Sequence, residues 1–157
     1  MKILQAPNKI LSRKAKAVGK VDAKILKLID GMRKTMEGAK GVGLAAPQVG
    51  KSLHLAVIGF EPTAEMLEKN PKLKPIPEVV LINPEIVWHS KEKSVEKEGC
   101  LSCEKVEVEI ARYKKIHVAH INEKGKKQKT KARGMVARAV QHEIDHLNGK
   151  LIIDYKK

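Results

Sequence analysis

Apolar residues recur at three- and four-residue steps in two stretches of the chain, the pattern of amphipathic helices. The first stretch runs from Asp22 to Ala39, with Asp22 as N-cap and Ile25, Leu28, Ile29, Met32 and Met36 on one face. The second runs from Gly134 to Asn148, with a stripe of Met135, Val136, Ala139, Val140, Ile144 and Leu147, and Gly149 placed for a left-handed C-terminal cap. Between them the pattern is that of strands: Leu53 to Ile58, Val79 to Ile82, Glu85 to Trp88, Val106 to Ile110 and Lys115 to Ile121. Asn83-Pro84 breaks the second of these from the third. Glu123-Lys124-Gly125-Lys126 reads as a hairpin turn with a short strand after it, and Leu151 to Tyr155 as one more short strand. Gly41 to Gly50 reads as a glycine-punctuated turn, and the proline-rich Glu61 to Pro77 as a surface loop or insertion. The expected fold is α+β: mostly antiparallel strands around a central C-terminal helix, with a second helix near the N-terminus, in a single domain spanning 1–157.

The chain has 157 residues, enough for one real core, but only 3% are aromatic, so Val, Ile, Leu, Ala and Met must fill it. The net charge is +14, which draws a protein toward anionic surfaces, nucleic acid among them. The competing reading is that lysines scattered among glutamates dress solvent faces. No aromatic-rich RNA-binding motif accompanies the charge, so no stable nucleic-acid complex is expected. Met1 to Pro7 is too short and polar for a secretory leader, no apolar run reaches membrane-spanning length, and two cysteines make no disulfide scaffold. A reducing cytoplasm is the expected location.

The second helix carries the chemistry. In Gln141-His142-Glu143-Ile144-Asp145-His146 two histidines stand four residues apart. Four residues advance a helix by about 400°, so both imidazoles lie on one face, one turn apart, and can share a transition metal. Glu143, a neighbouring carboxylate that is not a ligand, can act on water there, which is hydrolytic chemistry. The alternative is two core histidines that only hydrogen-bond. A third ligand is offered by Cys100 in Glu98-Gly99-Cys100-Leu101-Ser102: one thiolate and two imidazoles leave a fourth position open, as a catalytic site requires.

With that third motif the chain resembles the peptide deformylases. Gly41-Val42-Gly43-Leu44-Ala45-Ala46-Pro47-Gln48, Glu98-Gly99-Cys100-Leu101-Ser102 and Gln141-His142-Glu143-Ile144-Asp145-His146 stand in the family's order, with Ile82-Asn83-Pro84-Glu85 and Gly149 to Tyr155 similar as well. The resemblance implies hydrolytic removal of the formyl group from the N-formyl-methionine of nascent chains. It implies one divalent metal, Fe²⁺ in many members with Zn²⁺, Ni²⁺ or Co²⁺ able to substitute, held by Cys100, His142 and His146. It further implies proton transfer by Glu143, and stabilisation of the tetrahedral intermediate's oxygen by the Gln48 amide and the Leu101 N–H. Val42, Gly43, Leu44, Met135 and Ala139 would wall a pocket for the methionine, and Arg112 would lie near the groove. Ala139 as mere core and Arg112 as an exposed arginine remain open. Expected partners are formylated nascent peptides and transient contact with the ribosome, in a monomer with no membrane association.

The chain departs from the family in three places. Cys103-Glu104 replaces an aliphatic residue and proline, Arg138 stands where the pocket is usually apolar, and the chain ends soon after His146, where many bacterial members continue into a further helix. Cys103 opens a rival: Cys100 and Cys103 with both histidines as a closed structural zinc site. Extended backbone would aim Cys103 away from Cys100, which counts against it. A second rival, a metallopeptidase, needs a third His or Glu ligand. His54, His89, His117 and His120 are read instead as surface or packing residues, with His117 and His120 on opposite sides of a strand.

Overall fold

The computed structural model describes all residues from Met1 to Lys157. It contains three α-helices, α1 (Ala23–Gly38), α2 (Ala64–Lys69) and α3 (Gly134–Leu147), and seven strands: β1 (Gly43–Ala45), β2 (Leu55–Phe60), β3 (Ile76–His89), β4 (Lys93–Cys100), β5 (Cys103–Tyr113), β6 (Lys115–Ile121) and β7 (Lys127–Arg133). The order β1-β2-β3-β6-β7 forms one sheet, antiparallel throughout, while β4 and β5 pair only with each other. The fold is α+β, as the hydrophobic pattern predicts.

Two apolar layers sandwich the sheet. On one face α1 sets Leu28, Ile29, Met32 and Met36 against Leu44, Leu55, Val57, Val80 and Ile82. On the other, α3 sets Ala137, Ala139, Val140 and Ile144 against Ile58, Leu81, Ile116, Val118 and Ala132. Each fully buried aliphatic side chain contributes about 1.5–3 kcal/mol, so these two seams fix both helices on the sheet. The Asp22 carboxylate caps α1 by accepting from the Ile25 N–H at 3.0 Å. Gly149 closes α3 at φ +75°, and a Cβ there would lie 2.7 Å from the Ser12 carbonyl oxygen, so both its backbone and its surroundings require glycine.

Several elements differ from the sequence expectation. The two strands split at Asn83-Pro84 form one irregular strand, with Asn83 at φ +50° and its amide held by the backbone N–H and C=O of Val18. The loop 61–77 contains α2, capped by Thr63. The stretch 151–155 is a 3₁₀ turn at Ile152–Tyr155 rather than a strand, because the Asp154 carboxylate takes the Leu151 N–H at 2.8 Å. Within α3 the buried stripe is shifted: Ala137 is fully buried and Met135 is 57% exposed.

Candidate active site

α3 lies between the sheet and the β4–β5 hairpin, and its polar positions face the hairpin. Gln141 ties the two together: its side-chain oxygen accepts from the Tyr113 N–H at 3.0 Å, and its amide donates to the Tyr113 carbonyl at 2.9 Å. Cys100 ends β4 at the hairpin's tip, and a two-residue turn, Leu101-Ser102, returns the chain to Cys103.

Cys100, His142 and His146 converge there, with one ligand atom from each lying within 4.8 Å of the others. Cys100 Sγ is 3.3 Å from His146 Nε2, which is 3.2 Å from His142 Nε2. Such a thiolate-plus-two-imidazole set suits one transition-metal ion with an open position. Beside these atoms the buried Glu143 Oε2 has no hydrogen-bond partner in the protein, which further fits a group bound there; His146 Nδ1 is also unpartnered, but it lies on the edge of the ring turned away from Cys100 and His142.

Behind the ligands stands a charged network. Glu98 accepts from His142 Nδ1 at 2.9 Å, which turns that ring's other nitrogen toward Cys100 and His146. Glu98 also receives a two-pronged contact from Arg112 at 2.8 and 2.9 Å, and one from Arg138 at 2.5 Å. Arg112 continues to Asp145 at 2.6 Å and to the Tyr155 hydroxyl, which itself donates to Asp145. Burial opposes ionisation of Glu98, but the two guanidiniums and His142 hold its pKa well below the usual carboxylate range. Burial likewise opposes charge on His142, yet its contacts with Cys100 and Glu98 outweigh it and raise the pKa to about 10. Burial dominates at His146, whose pKa falls. At Glu143 burial is again the largest cause and lifts the carboxyl to about 7, against the pull of His142 and Arg112.

A cavity of about 400 Å³ opens onto these residues. Val42, Gly43, Gln48, Leu101, Met135 and Ala139 from the sequence-predicted set line it. Gly43 has a specific reason to be glycine: a Cβ there would lie 2.5 Å from Glu143 Oε1. Its close approach is therefore to Glu143. The Gln48 side-chain oxygen is fixed by the Ala45 N–H at 2.9 Å, which aims the amide nitrogen at Ser102 Oγ, 3.1 Å away, and at Cys100 Sγ.

Three expected placements change. Leu44 is fully buried in the α1 seam and does not reach the cavity. Arg112 is neither exposed nor at the cavity wall; it is 5% exposed, held inward by Glu98 and Asp145. Cys103 does not diverge from Cys100 along an extended segment, because the Leu101-Ser102 turn pairs the two residues across the hairpin. Its thiol nevertheless stands outside the ligand group, packed with Leu11, Val108, Ile110 and Ile152, and burial together with the neighbouring Cys100 pushes its pKa up to about 11. Sequence reasoning assigned no role to Glu98, Asp145 or Tyr155. The signal for Glu98 and Asp145 was charge placed beside the ligands Cys100 and His146; Tyr155, neutral and nine residues beyond His146, carried none. Arg138, noted only as a departure, is 6% exposed and donates to Glu98, to the Ile110 carbonyl and to the Ser94 carbonyl and hydroxyl, so it bolts α3 to the hairpin. The other histidines do pack or lie at the surface: His120 is buried against Thr130, and His117 faces the opposite side beside Trp88.

The chain matches the family model for polypeptide deformylase over residues 1–157. It is 42% identical over 153 residues to a peptide deformylase of Bartonella tribocorum, covering 98% of this chain and 82% of that one. A Met-Ala-Ser-bound class I type b peptide deformylase from Acinetobacter baumannii superposes with a TM-score of 0.90 at 31% identity, covering 99% of this chain and 98% of that one. A peptide deformylase from Synechococcus elongatus, in complex with actinonin, superposes with a TM-score of 0.87 at 36% identity, covering 99% and 78%. The three motifs, the convergence of Cys100 with His142 and His146, and a match that runs the length of the chain lead to one conclusion: this protein belongs to the polypeptide deformylase family, metal-dependent hydrolases that remove the N-terminal formyl group.

Proposed function

We propose that this single catalytic domain deformylates nascent peptides with Cys100, His142 and His146 holding one divalent ion, natively Fe²⁺, and Glu143 moving the protons. The observation that carries the assignment is a buried carboxylate oxygen of Glu143 with no protein partner, beside three converging ligand atoms and open to a cavity. When bound, such an ion supplies Lewis acidity that makes water a nucleophile near neutral pH. Zn²⁺, Ni²⁺ or Co²⁺ suits the same N₂S donor set.

The residues divide the remaining work. The Glu143 carboxylate takes a proton from the attacking water and delivers it to the methionine nitrogen as the formyl carbon–nitrogen bond breaks. Its pKa near 7 suits both halves of that exchange. As charge develops on the formyl oxygen, the Gln48 amide and the Leu101 N–H stabilise it, Gln48 being pre-aimed by its bond to Ala45. Val42, Met135 and Ala139 offer an apolar wall for the methionine side chain. Glu98 holds His142 in register, and Arg112 acts through Glu98 rather than on substrate. The protein works in the cytoplasm as a monomer, in transient contact with the ribosome; no helix is long and apolar enough to cross a membrane.

The test is formate release. Protein loaded anaerobically with Fe²⁺ or Ni²⁺ is expected to release formate from formyl-Met-Ala-Ser and to leave acetyl-Met-Ala-Ser intact. Absence of formate from the metal-loaded protein would overturn the assignment.

A further inference from the structure

α1 covers only part of its face of the sheet. Its apolar partners lie on β1, β2 and the first half of β3, with Ile121 at the end of β6 packed at their margin, and beyond them the same face is open across the second half of β3, the rest of β6 and β7. The strand register shows what that opening presents. Lys115 pairs with Arg133, His117 with Lys131, Ala119 with Lys129 and Ile121 with Lys127, and on β3 Trp88 pairs with His117 and Glu85 with Ala119. The alternate residues Ile116, Val118, His120 and Ala132 are buried against the α3 side. The outward set is therefore a row of Lys127, Lys129, Lys131 and Arg133, flanked by Lys115 and by an aromatic pair.

That pair is unusual for this chain. Trp88 is its sole tryptophan, in a sequence with only 3% aromatic residues to fill a core. It is nonetheless 46% exposed, with its ring 4.6 Å from that of His117. A large apolar ring left outside, beside a row of cations, fits a platform for something both aromatic and anionic. The acids nearby subtract little: Glu85 is the one carboxylate paired into this face, while Glu78 and Glu123 are bound by Arg33 at the α1 margin.

We infer that the uncovered outer face of β3, β6 and β7 is a binding surface for single-stranded RNA. Alternate residues along β7 stand about 7 Å apart, a spacing on which Lys127, Lys129, Lys131 and Arg133 can each meet successive phosphates of an extended strand. His117 on the adjacent strand and Trp88 one strand beyond it offer π-faces to its bases. Single strands are preferred over duplex because only unstacked bases can reach a ring on a flat sheet. An anionic membrane would meet the cations and seat Trp88 at its interface, but it offers His117 no ring to stack on, and it enters as an outcome of the test. The inference revises the expectation of no nucleic-acid partner and is independent of the deformylase chemistry, whose residues lie around α3 and the β4–β5 hairpin.

Because Trp88 is the only tryptophan, its fluorescence reports the contact directly. The full chain is titrated with a short oligouridine at about 50 mM and about 200 mM salt. Quenching of Trp88 is expected, with affinity falling steeply between the two. The charge-reversed pair K129E/K131E should lower the log–log salt slope by about 1.4, two phosphate contacts' worth, while formate release from formyl-Met-Ala-Ser stays at the parent level and shows the fold intact. Trp88→Leu, followed with end-labelled RNA, should weaken binding roughly 5- to 100-fold. The inference is overturned if oligouridine leaves Trp88 emission unchanged, if K129E/K131E binds as the parent does, if base-free polyphosphate quenches equally, or if vesicles rich in phosphatidylglycerol bind where oligouridine does not.

Discussion

α1 and α3 lie on opposite faces of one sheet, and both are amphipathic, yet they bury opposite kinds of residue. The buried positions of α1 are Leu28, Ile29, Met32 and Met36, all apolar. Those of α3 include Arg138, Gln141, Glu143 and His146 among the aliphatics. Burying a polar group without a partner costs several kcal/mol, so α1 is what a helix becomes when packing alone selects it. On α3 the cost is offset almost completely: Arg138 and Gln141 find carbonyls and carboxylates on the hairpin, and His142 finds Glu98. The exceptions are Glu143 Oε2 and His146 Nδ1. His146 Nδ1 lies on the ring edge turned away from Cys100 and His142, so in a helix otherwise so carefully satisfied it is the orphaned Glu143 oxygen that marks the place where stability has been given up for chemistry.

The difference breaks most severely at Glu143. Glu143→Gln keeps the shape and removes the base, and should lower kcat by about 10²- to 10⁴-fold while metal content, read by elemental analysis, stays at the parent level. Loss of metal together with activity would make Glu143 structural and erase the contrast with α1. On α1 the response should reverse. Met32 is fully buried, and Met32→Ala should cost about 2–5 kcal/mol of unfolding free energy in denaturant titration, with kcat/KM of the folded fraction unchanged.

A gentler way to sharpen the comparison is pH. Burial raises the Glu143 carboxyl to about 7, and only the ionised form can accept a proton. Activity must therefore fall as pH drops below that pKa, by about tenfold per unit. A bound cation favours the carboxylate, so the acid limb of kcat/KM in the metal-loaded enzyme should sit at or below about 7. A limb well above 7 would mean that another group limits the rate.

The same contrast explains what the sequence made legible. Both helices announce themselves, because a long apolar stripe at helical spacing is a property of local sequence. The ligand triad was legible through motif spacing and family resemblance, since Cys100 is far from the histidines in sequence and its approach depends on the fold. Two strands were invisible. β1 is three residues of which two are Gly43 and Ala45, too short and small to alternate, and its extended shape comes from pairing with β2. β4 turns little but Glu98 inward, so its one buried side chain is charged and the apolar rhythm is missing. For the same reason the network behind the ligands stayed hidden: Arg112 falls on the inward face of β5 in step with Val108 and Ile110, but an arginine reads as exposed until Glu98 across the hairpin and Asp145 from α3 supply its partners. Cys103 was misplaced because a two-residue turn reverses the chain where extension was assumed.

The smallest effect separates the helices at their first turns. α1 begins on the Asp22 carboxylate, which accepts from the Ile25 N–H, whereas α3 begins after Arg133 with no side-chain cap. Asp22→Ala should cost about 1 kcal/mol, a drop of about 2–4 °C in Tm for a domain of this size, with deformylation untouched because Asp22 caps the first turn of α1, whereas the helix meets the cavity loop at its last, where the Met36 carbonyl takes the Gly41 N–H. Arg133→Ala removes no cap and should leave Tm closer to the parent value. Were Arg133→Ala the more damaging of the two, the start of α3 would be held by its side chain, and the claim that α3 is fixed by its seam with the sheet and its bolts to the hairpin would need revision.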